Sequence, residues 1–252
     1  MGDRGSLLFV PFASSDPDTY TGVMRQTLAP RVLRSPASTR PGTLTAAVAD
    51  AQAVFGGGGN SFRLLRTLTT LGVLEPLRQA AQAGVPYLAA SAGGNLAGPA
   101  IRTTNDMPIV EPGSLAALGL IPFQLNPHYL DPDPRSPHRG ETRPARIEEF
   151  LAENDVPVLG LREGAWLQVS GTRAHLSGRN TGRLFRRPTG PSTSRPARTC
   201  PTCSTPAPAS TSAPQLGQGA GAALAAAVAL PGRAGPSSPA HRRPLFDPAP
   251  CP

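Results

Sequence analysis

The sequence predicts an α/β fold, a doubly wound and mostly parallel sheet, on three observations. Short apolar runs of the kind a fully buried strand shows occur at Leu7–Val10, Ala51–Phe55 and Val158–Leu161. Stretches with helical apolar spacing separate them, which is the alternation of a parallel sheet covered by helices. Two strand-like runs break into small residues, at Gly56–Gly59 and around Ser91, where a helix follows. In such sheets the loops that do chemistry collect at the carboxyl ends of the strands.

Taken in order, Leu7–Val10 is a first strand closed by Pro11. A helix is expected around Thr21–Leu28, followed by loop marked by Pro30, Pro36 and Pro41, and a short helix over Thr43–Ala49. Ala51–Phe55 runs straight into Gly56-Gly57-Gly58-Gly59-Asn60. Asn60 and Ser61 are good N-cap residues for a helix whose stripe is Phe62, Leu64, Leu65 and Leu68. A further helix over Leu74–Ala83 leads into Val85–Asn95, VPYLAASAGGN, a strand that breaks at Ser91 between small neighbours. Thr142 is placed to cap a helix over Pro144–Glu153, with proline in its first turn. Trp166–Val169 and Arg173–Leu176, joined through Ser170-Gly171-Thr172, read as a hairpin closing the domain.

Composition sets the boundary of that domain near residue 185. Fourteen of the 31 prolines lie in residues 186–252, among Ser, Thr, Ala and Gly, and apolar periodicity stops there. Such a segment cannot bury enough surface to offset its chain entropy, so 186–252 is expected to be a disordered tail and 1–185 the folded domain. All 24 basic residues are Arg, and seven of them fall in the tail against the single acid Asp247, so the tail carries +6 of the net +8. A pI of 10.8 therefore describes the tail more than the domain, and a nucleic-acid partner is not expected. Cys200, Cys203 and Cys251 all lie in the tail, leaving the domain without a disulfide or a thiol nucleophile, as suits a cytoplasmic protein. Cys200-Pro-Thr-Cys203 has half the spacing of a zinc ribbon but lacks the other half, so no metal is expected. The apolar run after Met1 is too short for a signal peptide, and no stretch approaches the roughly 20 apolar residues of a membrane span.

A serine at a strand-to-helix turn is either an N-cap or the nucleophile of an elbow that lifts its hydroxyl above the sheet. A hydrolase built on Ser91 needs a base, a group to orient it and donors for an oxyanion. Of the four histidines, His241 lies in the tail, His175 in the hairpin and His138 in a charged proline-rich loop. His128, in Leu125-Asn126-Pro127-His128-Tyr129, follows an apolar segment and is the candidate base at a strand end. Two acids compete to orient it. Glu163 follows a predicted strand, and Asp106 lies fifteen residues beyond Ser91; the residues alone leave both open. The N–H groups of Gly58 and Gly59 in the glycine loop, and of Ala92 after the serine, are the candidate oxyanion donors. The glycine loop lacks both the Gly-Lys-Ser/Thr of a P-loop and the pattern of a dinucleotide fingerprint.

Six segments together resemble the peptidase E family, serine peptidase family S51, of α-aspartyl dipeptidases. They are Gly57-Gly58-Gly59-Asn60, Ser91-Ala92-Gly93, Arg102-Thr103-Thr104-Asn105-Asp106-Met107-Pro108-Ile109-Val110, Asn126-Pro127-His128, Gly140-Glu141-Thr142-Arg143 and Glu163-Gly164. They occur in family order and cover about residues 8–185. The resemblance implies a sheet of the class I glutamine amidotransferase-like type. It also implies hydrolysis of dipeptides with an N-terminal aspartate (Asp-Xaa) through an acyl-enzyme, with no metal or other cofactor. Ser91 would be the nucleophile, His128 the base, and Asp106 or Glu163 its partner. Arg143 would recognise the substrate aspartate, a task suited to a guanidinium because it binds a carboxylate through two parallel hydrogen bonds; Asn60 is a second substrate-binding candidate. In that family a further strand and helix precede the segment matched by Leu7–Pro11, so an N-terminal strand is expected to be missing here, and Ala89 replaces a usual glycine.

The function expected is thus a cytoplasmic serine dipeptidase acting on a small peptide without membrane or nucleic acid, as a monomer or homodimer. The alternative is a truncated relative of the same fold that is inactive or only binds ligand. Ser91 where amidotransferases carry cysteine counts against amide transfer, and Arg143 with the aspartate-type motifs counts against cyanophycin cleavage.

Overall fold

The computed structural model describes residues 7–28, 33–34, 42–137 and 140–187. A four-stranded parallel sheet is built from β1 (Leu7–Val10), β2 (Leu33–Arg34), β3 (Ala53–Gly56) and β4 (Tyr87–Ala89), in the order β2-β1-β3-β4. In the pairing of β1 with β3, Leu8 faces Val54 and Val10 faces Gly56. The helices around it are α1 (Pro17–Leu28), α2 (Thr43–Ala49), α3 (Ser61–Thr70) and α4 (Leu74–Gln82). After β4 comes α5 (Ala92–Ala97), then β5 (Gln124–Pro127), α6 (Arg143–Glu153) and β6 (Val158–Leu161). β7 (Ala165–Ser170) and β8 (Arg173–Gly178) form the expected hairpin, and β9 (Gly182–Phe185) ends the described chain.

The α/β class with parallel strands is as expected, but the described strands do not form one hydrogen-bonded sheet. β5 pairs parallel with β6, β6 pairs antiparallel with β9, and β7–β8 stands as a separate ribbon. Continuity comes from side chains. One apolar cluster includes Leu8 and Val54 of the first sheet, Leu125 and Leu161 of the second, and Leu167 and Val169 of the hairpin. Strand alternation sends Phe9 and Phe55 to the opposite face, where Tyr20 and Met24 of α1 cover them. A third cluster packs Ile147 and Leu151 of α6 on Tyr129, Val158 and Phe185.

Several boundaries differ from expectation for local reasons. α1 starts at Pro17, a turn early, because Asp16 caps it: the Thr19 N–H donates to Asp16 Oδ1 at 3.0 Å. β3 begins at Ala53, since the amides of Asp50 and Ala51 close the last turn of α2 on Ala46 and Val48 carbonyls. β2 and β9 carry no apolar run and went unforeseen; β9 is held by its backbone ladder to β6. The expected caps are present, Asn60 Oδ1 accepting from the Arg63 N–H at 3.0 Å and Thr142 Oγ1 from the Ala145 N–H at 3.3 Å. The tail beyond residue 187 lies outside the described residues, as does His138.

Parallel strands bring their exits to one rim. The Gly57 N–H donates to Val10 O at 3.0 Å, and the Ala90 N–H to Gly56 O at 3.0 Å. The exits of β1, β3 and β4 are thereby stitched together. On the second sheet the Tyr129 N–H donates to Leu161 O at 2.9 Å, which sets His128 and Glu163 after adjacent strand ends.

Candidate active site

Ser91 sits between β4 and α5 with φ 48° and ψ −109°, a backbone conformation that L-residues rarely adopt. A residue held there costs of order 1–3 kcal/mol and persists only where its surroundings enforce it. Here they are tight. A Cβ on Gly93 would lie 2.3 Å from Gly56 O and 2.7 Å from Gly56 C, so α5 enters against bare backbone of β3. Tyr87 supports the turn from below, its hydroxyl donating to Gly93 O at 3.0 Å. Burial pushes the Tyr87 phenol well above its ordinary pKa, which keeps the hydrogen on the oxygen.

The structure brings Ser91, His128 and Glu163 together. Ser91 Oγ is 2.8 Å from His128 Nε2, and His128 Nδ1 is bonded to Glu163 Oε1. A carboxylate only accepts, so Nδ1 carries the hydrogen and Nε2 is left to accept from the serine hydroxyl. His128 itself has φ 56°, a second non-glycine residue in the left-handed region. The pairing is braced outside the site: Arg162, next to Glu163, donates from Nε to Asp131 Oδ2 at 2.8 Å, three residues past His128. The Arg162 guanidinium also lies over the Tyr129 ring, 5.5 Å from its centroid.

Asp106 has other partners. Its Oδ2 accepts from the Ser61 N–H and from the Ser61 hydroxyl, each at 2.7 Å. Since the one Ser61 hydroxyl hydrogen goes to Asp106, Thr104 is the donor in the 3.0 Å bond between Thr104 and Ser61. The rest of the 102–110 segment grips β5. Thr103 Oγ1 donates to Leu125 O at 2.8 Å, Asn105 Nδ2 to Pro127 O at 2.7 Å, and Asn126 Nδ2 to Thr103 O at 2.8 Å and Asn105 Oδ1 at 2.9 Å. The segment thus ties the strand that ends at His128 to the start of α3.

Asn60 is engaged at both ends of its amide, capping α3 through Oδ1 and donating from Nδ2 to Met107 O at 2.8 Å. Arg143 opens α6, half-buried. Burial and the Arg146 charge lower its pKa against the opposing pull of Asp106, so the guanidinium and the Asp106 carboxylate sense each other. In the glycine loop the Gly58 N–H donates to the Tyr20 hydroxyl at 3.0 Å, and the Asn60 N–H to Ala13 O at 2.9 Å. Among the described residues the Gly59 N–H has no acceptor. The Ala92 N–H is the first of the amides that α5 leaves unpaired. Tyr20 is the residue at this rim that sequence reasoning missed. A lone tyrosine near a helix start carries no motif, and only its contact with the glycine loop marks it.

Among the described residues no group of three His, Cys, Asp or Glu side chains is placed to hold a metal, and no helix is long and apolar enough to cross a membrane. His175 lies exposed on β8.

A serine at a strained strand-to-helix turn, hydrogen-bonded to a histidine that a carboxylate holds, defines a hydrolytic site of the serine type. The model of peptidase family S51 matches residues 2–177, and the chain belongs to that family. It is 58% identical over 185 residues to Peptidase E of Streptomyces coelicolor, covering 73% of this chain and 76% of that one. It is 47% identical over 182 residues to a Drosophila melanogaster protein named "Probable alpha-aspartyl dipeptidase", covering 72% and 76%. A crystal structure of a peptidase from an acI-B1 Actinobacterium aligns over 72% of this chain and 74% of that one, with 15% identity and a TM-score of 0.47.

Proposed function

We propose that the protein hydrolyses dipeptides with an N-terminal aspartate through an acyl-enzyme on Ser91. The observation that carries this reading is the continuous hydrogen-bonded line from Ser91 Oγ through His128 to Glu163. Ser91 Oγ attacks the aspartyl carbonyl as His128 Nε2 takes its proton. The N–H groups of Gly59 and Ala92 receive the oxyanion; Gly58, the third candidate, already gives its hydrogen to Tyr20. His128 then returns the proton to the departing amine, breaking the peptide bond, and a water deprotonated by the same imidazole releases aspartate.

Glu163 takes the orienting role and Asp106 a positioning one, holding the start of α3 and lending its charge to the field at Arg143. Arg143 binds the substrate's side-chain carboxylate. Its half-buried setting favours this, because a partly desolvated guanidinium with no acceptor among the described residues gains most from a bidentate anion. Asn60 then serves substrate binding indirectly, by fixing the glycine loop to Met107. The reading includes a glutamine amidotransferase-like scaffold over residues 1–185, for which the parallel order β2-β1-β3-β4 with the elbow after β4 is the support.

The test is hydrolysis of Asp-Leu and Leu-Leu by the full chain and by Ser91→Ala. Release of aspartate from Asp-Leu alone, lost in Ser91→Ala, is expected. Equal cleavage of both substrates would overturn the aspartate specificity, and activity surviving in Ser91→Ala would overturn the nucleophile.

A further inference from the structure

The glycine loop is shaped around one aromatic side chain that lies outside the Ser91–His128–Glu163 line. Tyr20, in the first turn of α1, has its backbone fixed, because its N–H donates to Asp16 O at 3.2 Å and Asp16 Oδ1 caps the helix. Its ring stands edge-on to Phe9 with centroids 5.1 Å apart. A Cβ on Gly57 would lie 2.8 Å from Tyr20 Cε1 and 3.0 Å from Phe9 Cε2, so these rings press directly on the loop backbone. The phenol oxygen then accepts the Gly58 N–H at 3.0 Å. At Gly58 an added Cβ would sit 3.3 Å from Ser91 Cβ and 3.8 Å from the Tyr20 hydroxyl oxygen, so nucleophile and phenol border the same space beside Gly58.

Three of the four successive amides from Gly57 to Asn60 thus have fixed acceptors, Val10 O, Tyr20 Oη and Ala13 O. The one left over is the Gly59 N–H. The peptide planes of glycines rotate easily, and Gly59 has φ 133°. Without a bond on the preceding amide, the Gly58–Gly59 peptide is free to turn. A donor set contributes to catalysis only if it points at the oxyanion before the reaction begins.

Resting on the dipeptidase reading above, we propose that Tyr20 is a positioning residue of the oxyanion site. Its hydroxyl takes the Gly58 N–H and so fixes the next peptide with the Gly59 N–H aimed at the developing charge. Tyr20 does not itself touch substrate. Its effect falls on the tetrahedral state and not on the ground state, because it orders a donor used only there.

The test compares Tyr20→Phe with the wild-type full chain on Asp-Leu, after titration of the active serine. Phenylalanine keeps the ring on Phe9 and Gly57 and removes only the hydroxyl, so the melting temperature is expected to stay unchanged. We expect kcat to fall about tenfold or more with KM within about twofold, part of the loss typical for an oxyanion donor. The affinity for a boronic acid analogue of aspartate, which adds to the serine hydroxyl as a tetrahedral anion, should fall by a similar factor, while inhibition by free aspartate is retained. Unchanged kcat and unchanged boronate affinity would overturn the role of Tyr20. A fall in melting temperature with proportional loss of both boronate and aspartate binding would overturn it too, in favour of a packing role. If wild-type protein cleaves no Asp-Leu, the dipeptidase reading itself fails, and the inference with it.

Discussion

His128 is held from both sides, and Glu163, not Asp106, is the acid in contact with it. Nδ1 is bonded to Glu163, while the Asp106 carboxylate is occupied by Ser61. Glu163→Gln is therefore expected to lower kcat by about 10²–10⁴-fold, because an amide neither selects the tautomer nor stabilises the imidazolium as a carboxylate does. Asp106→Asn should cost less in kcat and more in substrate binding, through the start of α3 and the field at Arg143. Steady-state kinetics of the two variants on Asp-Leu check this, and the reverse order would contradict it. At this scale the placement of Ser91 and His128 at strand ends was legible because each follows a strand-like run. Which of Asp106 and Glu163 touches His128 was not, since the contact between residues 128 and 163 is one that only strand pairing creates. Tyr20 was hidden for the same reason: it lies 38 positions from the amide it holds.

Among the elements, the elbow is the least forgiving. Gly93 and Gly56 meet backbone to backbone, with no flexible side chain to yield. Gly93→Ala should therefore displace α5, misplace Ser91 Oγ from His128 Nε2 and reduce activity at least 10²-fold, with a lower melting temperature. A melt and an active-serine titration on the same sample test this; full titratable serine with wild-type stability would contradict it. The 102–110 segment acts as a strut, in regular structure nowhere, yet bonded to β5 and to the start of α3 at once. Its residue pattern was recognisable, whereas what it braces was invisible without the fold. Helices with stripes and caps, α3 and α6 above all, were readable in place. β2 and β9 were not, because short backbone-held strands leave no apolar period.

At the scale of the molecule, the first sheet carries Ser91 and the glycine loop while the second carries His128 and Glu163. The site therefore depends on the shared core that joins them. The ionic brace of the second sheet gives a pH handle. Burial alone would raise the Asp131 carboxyl, but the hydrogen bond and charge of Arg162, with help from Tyr129 and Arg183, hold it below its ordinary value of 3.8. A carboxyl depressed on folding contributes stability above the unfolded pKa and loses it as pH falls through the folded pKa. Asp131→Asn is thus expected to lower the melting temperature by about 1–3 °C near neutral pH, the scale of a partly exposed ion pair. The gap to wild type should close below the ordinary carboxylate range. A gap that persists in acid would show that the charge is not the cause.

The central claim is that Ser91 is a working nucleophile activated by His128, and covalent labelling tests it most directly. The full chain would be treated with a fluorophosphonate, and the modified peptide identified by mass spectrometry. One label on Ser91 is predicted, absent in Ser91→Ala and at least 10²-fold slower in His128→Ala, in line with the usual worth of a general base. Label on another residue, or labelling of Ser91 at the same rate without His128, would contradict the account.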